Sequence, residues 1–291
     1  MDCTLGAGGH AWGILDASSP NGRLLGMDVD PQALDIARQR LAAFGSRAFI
    51  VQASYVTMSQ QLRQLGWRSV NGVLLDLGLS SMQLDTPQRG FSFMVDAPLD
   101  MRFDPGNPTR AFDLVNTLSE VELTGLLLRF GEERNARKIA HAMIRSRPLN
   151  TTGQLAEVVA SVVSKAHFSP GKRVGKKSRI HPATRTFQAL RIAVNHELES
   201  LENILPQALA ALVPGGRLAV ISFHSLEDRI VKRYFRQESK NCLCPPRQPV
   251  CTCGHKALLI EVNRRPIRPS SSELEQNPRA RSACLRVAER I

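Results

Sequence analysis

A glycine turn near the start of the chain, Gly6-Ala-Gly8-Gly9-His10, is followed by a carboxylate at Asp28, within Gly26-Met-Asp28-Val-Asp30-Pro31. No other feature constrains the fold as much. Glycines let a backbone approach a ligand closely, and a carboxylate where the next strand ends can grip a ribose through both hydroxyls. The pair predicts a doubly wound α/β enzyme with a nucleoside cofactor. Gly6-x-Gly8-x-x-Ala11 also satisfies the looser dinucleotide fingerprint, so this turn alone is shared by nicotinamide enzymes and S-adenosylmethionine (SAM) methyltransferases.

Further along, apolar runs at 23–27, 48–51, 73–77 and 217–223 predict strands, and 31–43 has helical spacing with Pro31 in its first turn. Strands alternating with helices argue for a parallel sheet covered on both faces. The interval before the run at 217 is too long for one crossover. It holds a loop rich in Asp, Pro and Met (91–108) and then helical patterns. Ser119 and Glu122 stand at capping-box spacing before Leu123, Leu126 and Leu127, and Gly131 closes that helix. Helices are predicted over 132–145 and 152–164. One long helix from Pro182 carries Phe187, Leu190, Val194, Leu198, Leu201 and Leu205 on one face, a core stripe. The expected layout is a methyltransferase-type domain in two parts, 1–106 and 181–291, with a helical insertion over 107–180.

With 291 residues and a hydrophobic fraction of 43%, the chain can bury a sizeable core and is not generally disordered. No apolar run reaches membrane-spanning length and no signal-peptide pattern precedes the turn, so a soluble cytoplasmic protein without membrane partners is expected. Lys and Arg number 38 against 26 acids, a net +12 that favours a polyanionic partner. Residues 168–191 hold Lys172, Arg173, Lys176, Lys177, Arg179, Arg185 and Arg191 and no acid. Further basic groups recur at Arg229, Lys232, Arg233 and Arg236, and at Arg264, Arg265 and Arg268. Such clusters suit a phosphate track, whereas an aromatic content of 5% argues against a broad base-stacking platform.

Two features favour SAM over a dinucleotide. The strand ending Asp76-Leu-Gly78 puts an acceptor beside the cofactor, and Pro214-Gly215-Gly216 turning into Ile221-Ser-Phe223 is a habit of methyltransferase sheets. No glycine loop is followed by lysine at Walker spacing, which disfavours nucleotide hydrolysis. Beyond these, several stretches are distinctive. They are Asp2 to His10, Leu75-Asp-Leu-Gly-Leu-Ser-Ser81, Gln83-Leu-Asp85, Arg89-Gly-Phe-Ser-Phe93, Pro98-Leu-Asp-Met-Arg102, Phe130-Gly-Glu-Glu-Arg134, His181-Pro-Ala-Thr-Arg-Thr-Phe-Gln-Ala-Leu-Arg191, Ser222-Phe-His-Ser-Leu-Glu-Asp-Arg229 and Asn277-Pro-Arg-Ala-Arg-Ser282. Through them nearly the whole chain resembles the bacterial small-subunit ribosomal RNA cytosine-N4 methyltransferases, the RsmH/MraW family.

The resemblance implies a class I SAM-dependent methyltransferase sheet with an inserted small helical domain for RNA recognition. It implies SAM as donor, and as acceptor a cytidine in the decoding centre of 16S rRNA within the small ribosomal subunit. The family's cofactor contacts fall on Gly8, Gly9, His10, Asp28, Tyr55, Asp76 and Gln83. His10 keeps a rival role as a helix-start residue bonding its own backbone. The N4 lone pair of cytosine is delocalised, so the enzyme must accept an N–H hydrogen bond and hold the reacting atoms in line. Many amino-methyltransferases use an Asn/Asp-Pro-Pro-aromatic loop for this, and here Asp76-Leu-Gly-Leu-Ser80 stands instead. Asp76, or nearby carbonyls with Ser80 and Ser81, is the candidate acceptor. His224 either meets substrate or anchors its loop. Arg185 and Arg191 are candidate phosphate contacts or a solvated helix face.

Cys242-x-Cys244-Pro-Pro and Cys251-x-Cys253-Gly-His255 form a compact four-thiol cluster suited to a structural zinc ion or to reduced, unligated thiols. Met1 abuts the glycine motif, so the strand leading into Asp2 is expected to be a stub poor in central hydrogen bonds, with a cost in stability. A methyltransferase of another RNA or DNA, and a non-catalytic rRNA-binding assembly factor retaining the fold, are the alternatives. The assembly state is left open, a homodimer included.

Overall fold

The apolar runs form strands where the sequence puts them. The computed structural model describes residues 1–166, 181–245, 248 and 250–291. The lysines and arginines at 172, 173, 176, 177 and 179 therefore lie outside the described residues. Strand β1 (Leu24–Asp28) pairs in parallel with β2 (Ala48–Gln52), Asp28 opposite Gln52. Strand β3 (Val70–Asp76) pairs in parallel with β4 (Leu212–Ser222), Asp76 opposite Ile221. Two further strands, β5 (Leu259–Glu261) and β6 (Cys284–Arg290), are antiparallel to each other, and β6 is antiparallel to β4.

Residues 1–5 join β1 to β3. Asp2 bridges both Gly26 and Leu74 in parallel. Asp2 N–H donates to Leu25 O, Met27 N–H to Asp2 O, Leu74 N–H to Met1 O and Cys3 N–H to Leu74 O, all at 2.9 Å. The segment expected to be poor in hydrogen bonds thus bonds to both neighbours. Gly26 is required beside it, because a Cβ there would stand 2.7 Å from Leu5 Cδ1. The strand order is β2, β1, residues 1–5, β3, β4, β6, β5. The chain moves outward to one side of residues 1–5 with β1 and β2, then to the other with β3 and β4. Doubly wound sheets bind ligands beside such a reversal, at the carboxyl ends of the strands. The glycine turn emerges there.

The chain divides into two compact units: residues 1–78 with 198–291, and residues 79–197. The first holds the sheet, its core built from Leu25, Met27, Leu75, Leu218, Val220 and Phe235, with a smaller cluster of Leu5, Leu15, Leu24, Leu34 and Leu41 under the glycine turn. Helix Pro31–Leu41 starts as read, with Asp30 as its cap accepting from Gln32 N–H. The second unit is helical: Ala111–Thr117, Glu120–Gly131, Ala136–Arg145, Thr152–Ala166 and Thr184–Asn195. Its capping box is formed as the spacing predicts, Glu122 N–H donating to Ser119 Oγ and Ser119 N–H to Glu122 Oε2. Leu123, Leu127, Ile139 and Met143 are fully buried, worth about 1.5–3 kcal/mol each.

Two boundaries differ from the sequence expectation. The helical unit takes in the loop at 91–108, because Phe91, Leu99 and Met101 are buried in its core, so it begins well before 107 and continues past 180. The single long helix from Pro182 is two helices, Thr184–Asn195 and Glu197–Ala211. His196 is left-handed (φ 50°), and the Asn195 side chain clasps backbone elsewhere in its unit, accepting from Phe103 N–H (2.7 Å) and donating to Met101 O (2.7 Å). The apolar stripe accordingly serves two cores: Phe187, Leu190 and Val194 in the helical unit, Leu201 and Leu205 under the sheet. Among the described residues no helix is long and apolar enough to cross a membrane.

Candidate active site

The carboxyl ends of β1 and β3 and the glycine turn between them carry the polar groups. Asp28, the last residue of β1, fixes the turn: its Oδ2 accepts from Gly6 N–H (2.8 Å) and its Oδ1 from Asp30 N–H (2.9 Å). Each carboxylate oxygen retains a second lone pair, which is what a vicinal diol needs. Burial pushes the Asp28 carboxyl above the usual carboxylate range, against the pull of those backbone donors. Gly8 caps helix Gly9–Ala17 with φ 78°, and a Cβ on it would stand 3.4 Å from Ala37 Cβ and Leu41 Cγ. Glycine at 8 is thus favoured by the left-handed backbone, while the packing around it would give a Cβ only ordinary contacts. Gly9 has only Arg40 Nη1 within reach of its missing Cβ.

Opposite the turn, Asp76 ends β3. Its backbone N–H donates to Thr4 Oγ1 (2.7 Å), and its Oδ2 lies 3.3 Å from His10 Nε2. Asp76 Oδ1 is buried and without a hydrogen-bond partner in this structure. His10 is half-exposed, and the hydrogen bond to Asp76 raises its pKa. It pairs with Asp76, and the cap position of its helix belongs to Gly8. Asp2, Thr4 and Glu227 escaped the sequence reading. Asp2 is almost wholly buried, one oxygen accepting from Thr4 N–H (3.1 Å) and the other unpartnered, and burial pushes its carboxyl up to about 6. Its position four residues before Gly6, in the segment leading into the turn, was the available signal. Tyr55 opens a short turn past β2, half-buried against the sheet core, after Ala53 N–H bonds Asp28 O (3.0 Å).

His224 follows β4 and caps helix Ser225–Glu238: its ring nitrogen accepts from Glu227 N–H, while Glu227 Oε2 accepts from Phe223 N–H (2.8 Å) and His224 N–H (3.2 Å). The anchoring role considered for His224 is therefore occupied.

In the helical unit, Ser80 and Gln83 form a capping box on helix Ser81–Asp85, Ser80 N–H donating to Gln83 Oε1 (3.1 Å) and Gln83 N–H to Ser80 Oγ (3.2 Å). Gln83 is buried and Ser81 is exposed on the first turn. Arg191 is not a solvent-facing phosphate contact. Its guanidinium is bidentate on buried Glu197, with both bonds at 2.8 Å. An arginine at 13% exposure with its fork filled has little to offer a phosphate. Arg185 is exposed and donates to Glu132 O (3.1 Å), satisfying the end of helix Glu120–Gly131.

The four cysteines converge. Sulfur pairs 242–251, 251–253, 253–242 and 244–251 are 3.5, 3.6, 3.8 and 4.0 Å apart. Zn–S bonds of about 2.3 Å in a tetrahedron set sulfurs about 3.8 Å apart, so the donor set fits zinc in number, softness and spacing.

The MraW methylase family matches residues 1–291. The chain belongs to this family. It is 51% identical over 291 residues to the ribosomal RNA small subunit methyltransferase H of Dehalococcoides mccartyi, covering 100% of this chain and 80% of that one. It is 50% identical over 294 residues to the protein of the same name from a Geobacter species (strain M21), covering 100% and 92%. A crystal structure of an rRNA methylase from Streptococcus thermophilus aligns with TM-score 0.41 at 11% identity, over 100% of this chain and 84% of that one, too distant to carry argument.

Proposed function

We propose that the chain transfers a methyl group from SAM to the exocyclic N4 amine of a cytidine in the decoding centre of 16S rRNA, within the small ribosomal subunit. One observation carries the chemistry: Asp76 Oδ1, an acceptor already buried and unpartnered at the tip of β3. Leaving such an oxygen unbonded is costly, and an N–H brought to it gains the full value of the bond. SAM supplies an electrophilic methyl on a sulfonium. Every other requirement falls to the protein. Asp28 and the Gly6–His10 turn hold the nucleoside end of the donor, with Gly8 and Gly9 leaving room for its amino-acid portion. Tyr55 flanks the adenine side. Asp76 accepts the N4 hydrogen as nitrogen is methylated, and His10, hydrogen-bonded to Asp76 and half-exposed, gives the proton a way to solvent.

Ser80, Ser81 and Gln83 lie just beyond Asp76 in sequence and shape the loop on which the target base would rest; that base must first leave its stack. His224, held in its capping box, borders the same carboxyl edge of the sheet. The helical unit and Arg185 serve RNA recognition. The four cysteines hold a structural zinc ion apart from the chemistry.

The test is methyl transfer from labelled SAM to small ribosomal subunits, free rRNA and intact ribosomes, with the modified base mapped. N4-methylcytidine at a decoding-centre position is the expected product. Modification of another RNA or of DNA, or SAM binding without transfer, would overturn it.

A further inference from the structure

Two basic stretches far apart in sequence converge on one cavity of the sheet unit. Arg236 lies in the last turn of helix Ser225–Glu238, Lys240 one turn beyond it, and Arg264 follows β5. With Ser239 and Glu261 they line an open cavity of about 380 Å³. All three cations are exposed, and no ion pair to any of them occurs among the described residues. Glu261 is the only acid in the lining, so three positive charges face one negative. None of the lining residues is aromatic, which suits a phosphate and not a base.

The cavity has a built frame. Leu258 N–H donates to Glu238 O (2.9 Å) and Ala257 N–H to Asn241 Oδ1 (3.2 Å), closing the foot of the cysteine loop. On the other wall, buried Arg286 is bidentate on Asp228 (2.7 and 3.1 Å) and donates to Arg264 O (3.4 Å). The cysteine loop begins at Cys242, two residues after Lys240, so metal binding there fixes the chain that carries one of the cations. Arg236 comes eleven residues after Ser225 in the helix, about 16 Å along its axis from the end of β4. The cavity is thus an anchorage separate from the donor crevice.

We propose that Arg236, Lys240 and Arg264 form a phosphate-binding subsite for the RNA, its shape held by the zinc-pinned cysteine loop. The proposal rests on the RNA-substrate and zinc assignments above. The experiment measures binding of the full chain to purified small ribosomal subunits across a salt series, with SAM affinity and melting temperature as controls. The R236A/R264A double variant is expected to bind about tenfold more weakly, with the slope of log affinity against log salt reduced by about two. Its SAM affinity and melting temperature should match the unaltered chain. Glu261→Gln should tighten binding two- to threefold by removing the opposing charge (an estimate of about one screened interaction). The C242S/C251S variant, shown to be metal-free by elemental analysis, should reproduce the weakening. An unchanged salt slope in R236A/R264A overturns the subsite, and full binding by C242S/C251S overturns its dependence on the metal. Failure of the unaltered chain to bind subunits at all would instead bring down the RNA-substrate assignment.

Discussion

The glycine turn and the cysteine loop are both short polar segments folded back on themselves, and they are held by opposite means. The turn is locked by hydrogen bonds to backbone: the Asp28 carboxylate clasps Gly6 and Asp30, the Thr4 hydroxyl clasps the end of β3, and Asp2 forms a parallel bridge to the strand on either side. Its shape exists before any ligand arrives. The loop has two hydrogen bonds at its foot and four mostly exposed thiols at its tip. The proposed zinc ion would tie those four thiols together. A site that must aim a reacting atom is built the first way, and a surface that must only be kept in place can be built the second.

The contrast is sharpest at Asp76. Asp76→Asn keeps the shape of the side chain but not its basicity, and should lower turnover about 100- to 1,000-fold. Normal turnover together with normal SAM affinity, by single-turnover kinetics and calorimetry, would show that the acceptor lies elsewhere. Next in size, Asp28→Ala strands the N–H groups of Gly6 and Asp30 and should cost about 2–4 kcal/mol of stability by denaturant unfolding, with SAM affinity falling more than tenfold. An unaltered midpoint would mean the turn supports itself.

Removing zinc tests the other half of the comparison. Chelation should release about one zinc per chain and expose 239–258 to protease, while the melting temperature moves by less than about 2 °C. A large loss of global stability would make the loop part of the core. The smallest effect belongs to His10. Its pKa is raised in the folded state by Asp76, so its contribution is fully present below the ordinary histidine value near 6.5 and is lost as pH rises through the raised one. His10→Gln should therefore be less stable than the unaltered chain at acid pH, with the difference disappearing as pH rises through the raised value. Because the ring is half-exposed, the difference should stay under about 1 kcal/mol.

What was legible in the sequence was local. Strand runs, the Asp30-Pro31 helix start and the Ser119–Glu122 box are set by neighbours within four residues, and all three are found where the pattern puts them. The break at His196 was invisible because the hydrophobic stripe continues through it, and its cause, Asn195 bonding the backbone at 101 and 103, lies ninety-odd residues away. Arg191 was misread for the same reason. Its partner Glu197 sits beyond that break, where a continuous helix would have kept it out of reach. In the site, residue types at the strand tips were readable, but the burial of Asp2 follows from strand order. The four cysteines were readable as a group because they are close in sequence, whereas the convergence of Arg236 with Arg264 required β5 and β6 to be in place.

The Thr4 hydroxyl, receiving the Asp76 amide, ties the pieces of the donor crevice into one linkage. Through Thr4 the turn and the tip of β3 hold one another in place. On the proposed assignment, the seat of the donor and the aim of the acceptor are therefore set by one framework, already in register before either ligand binds.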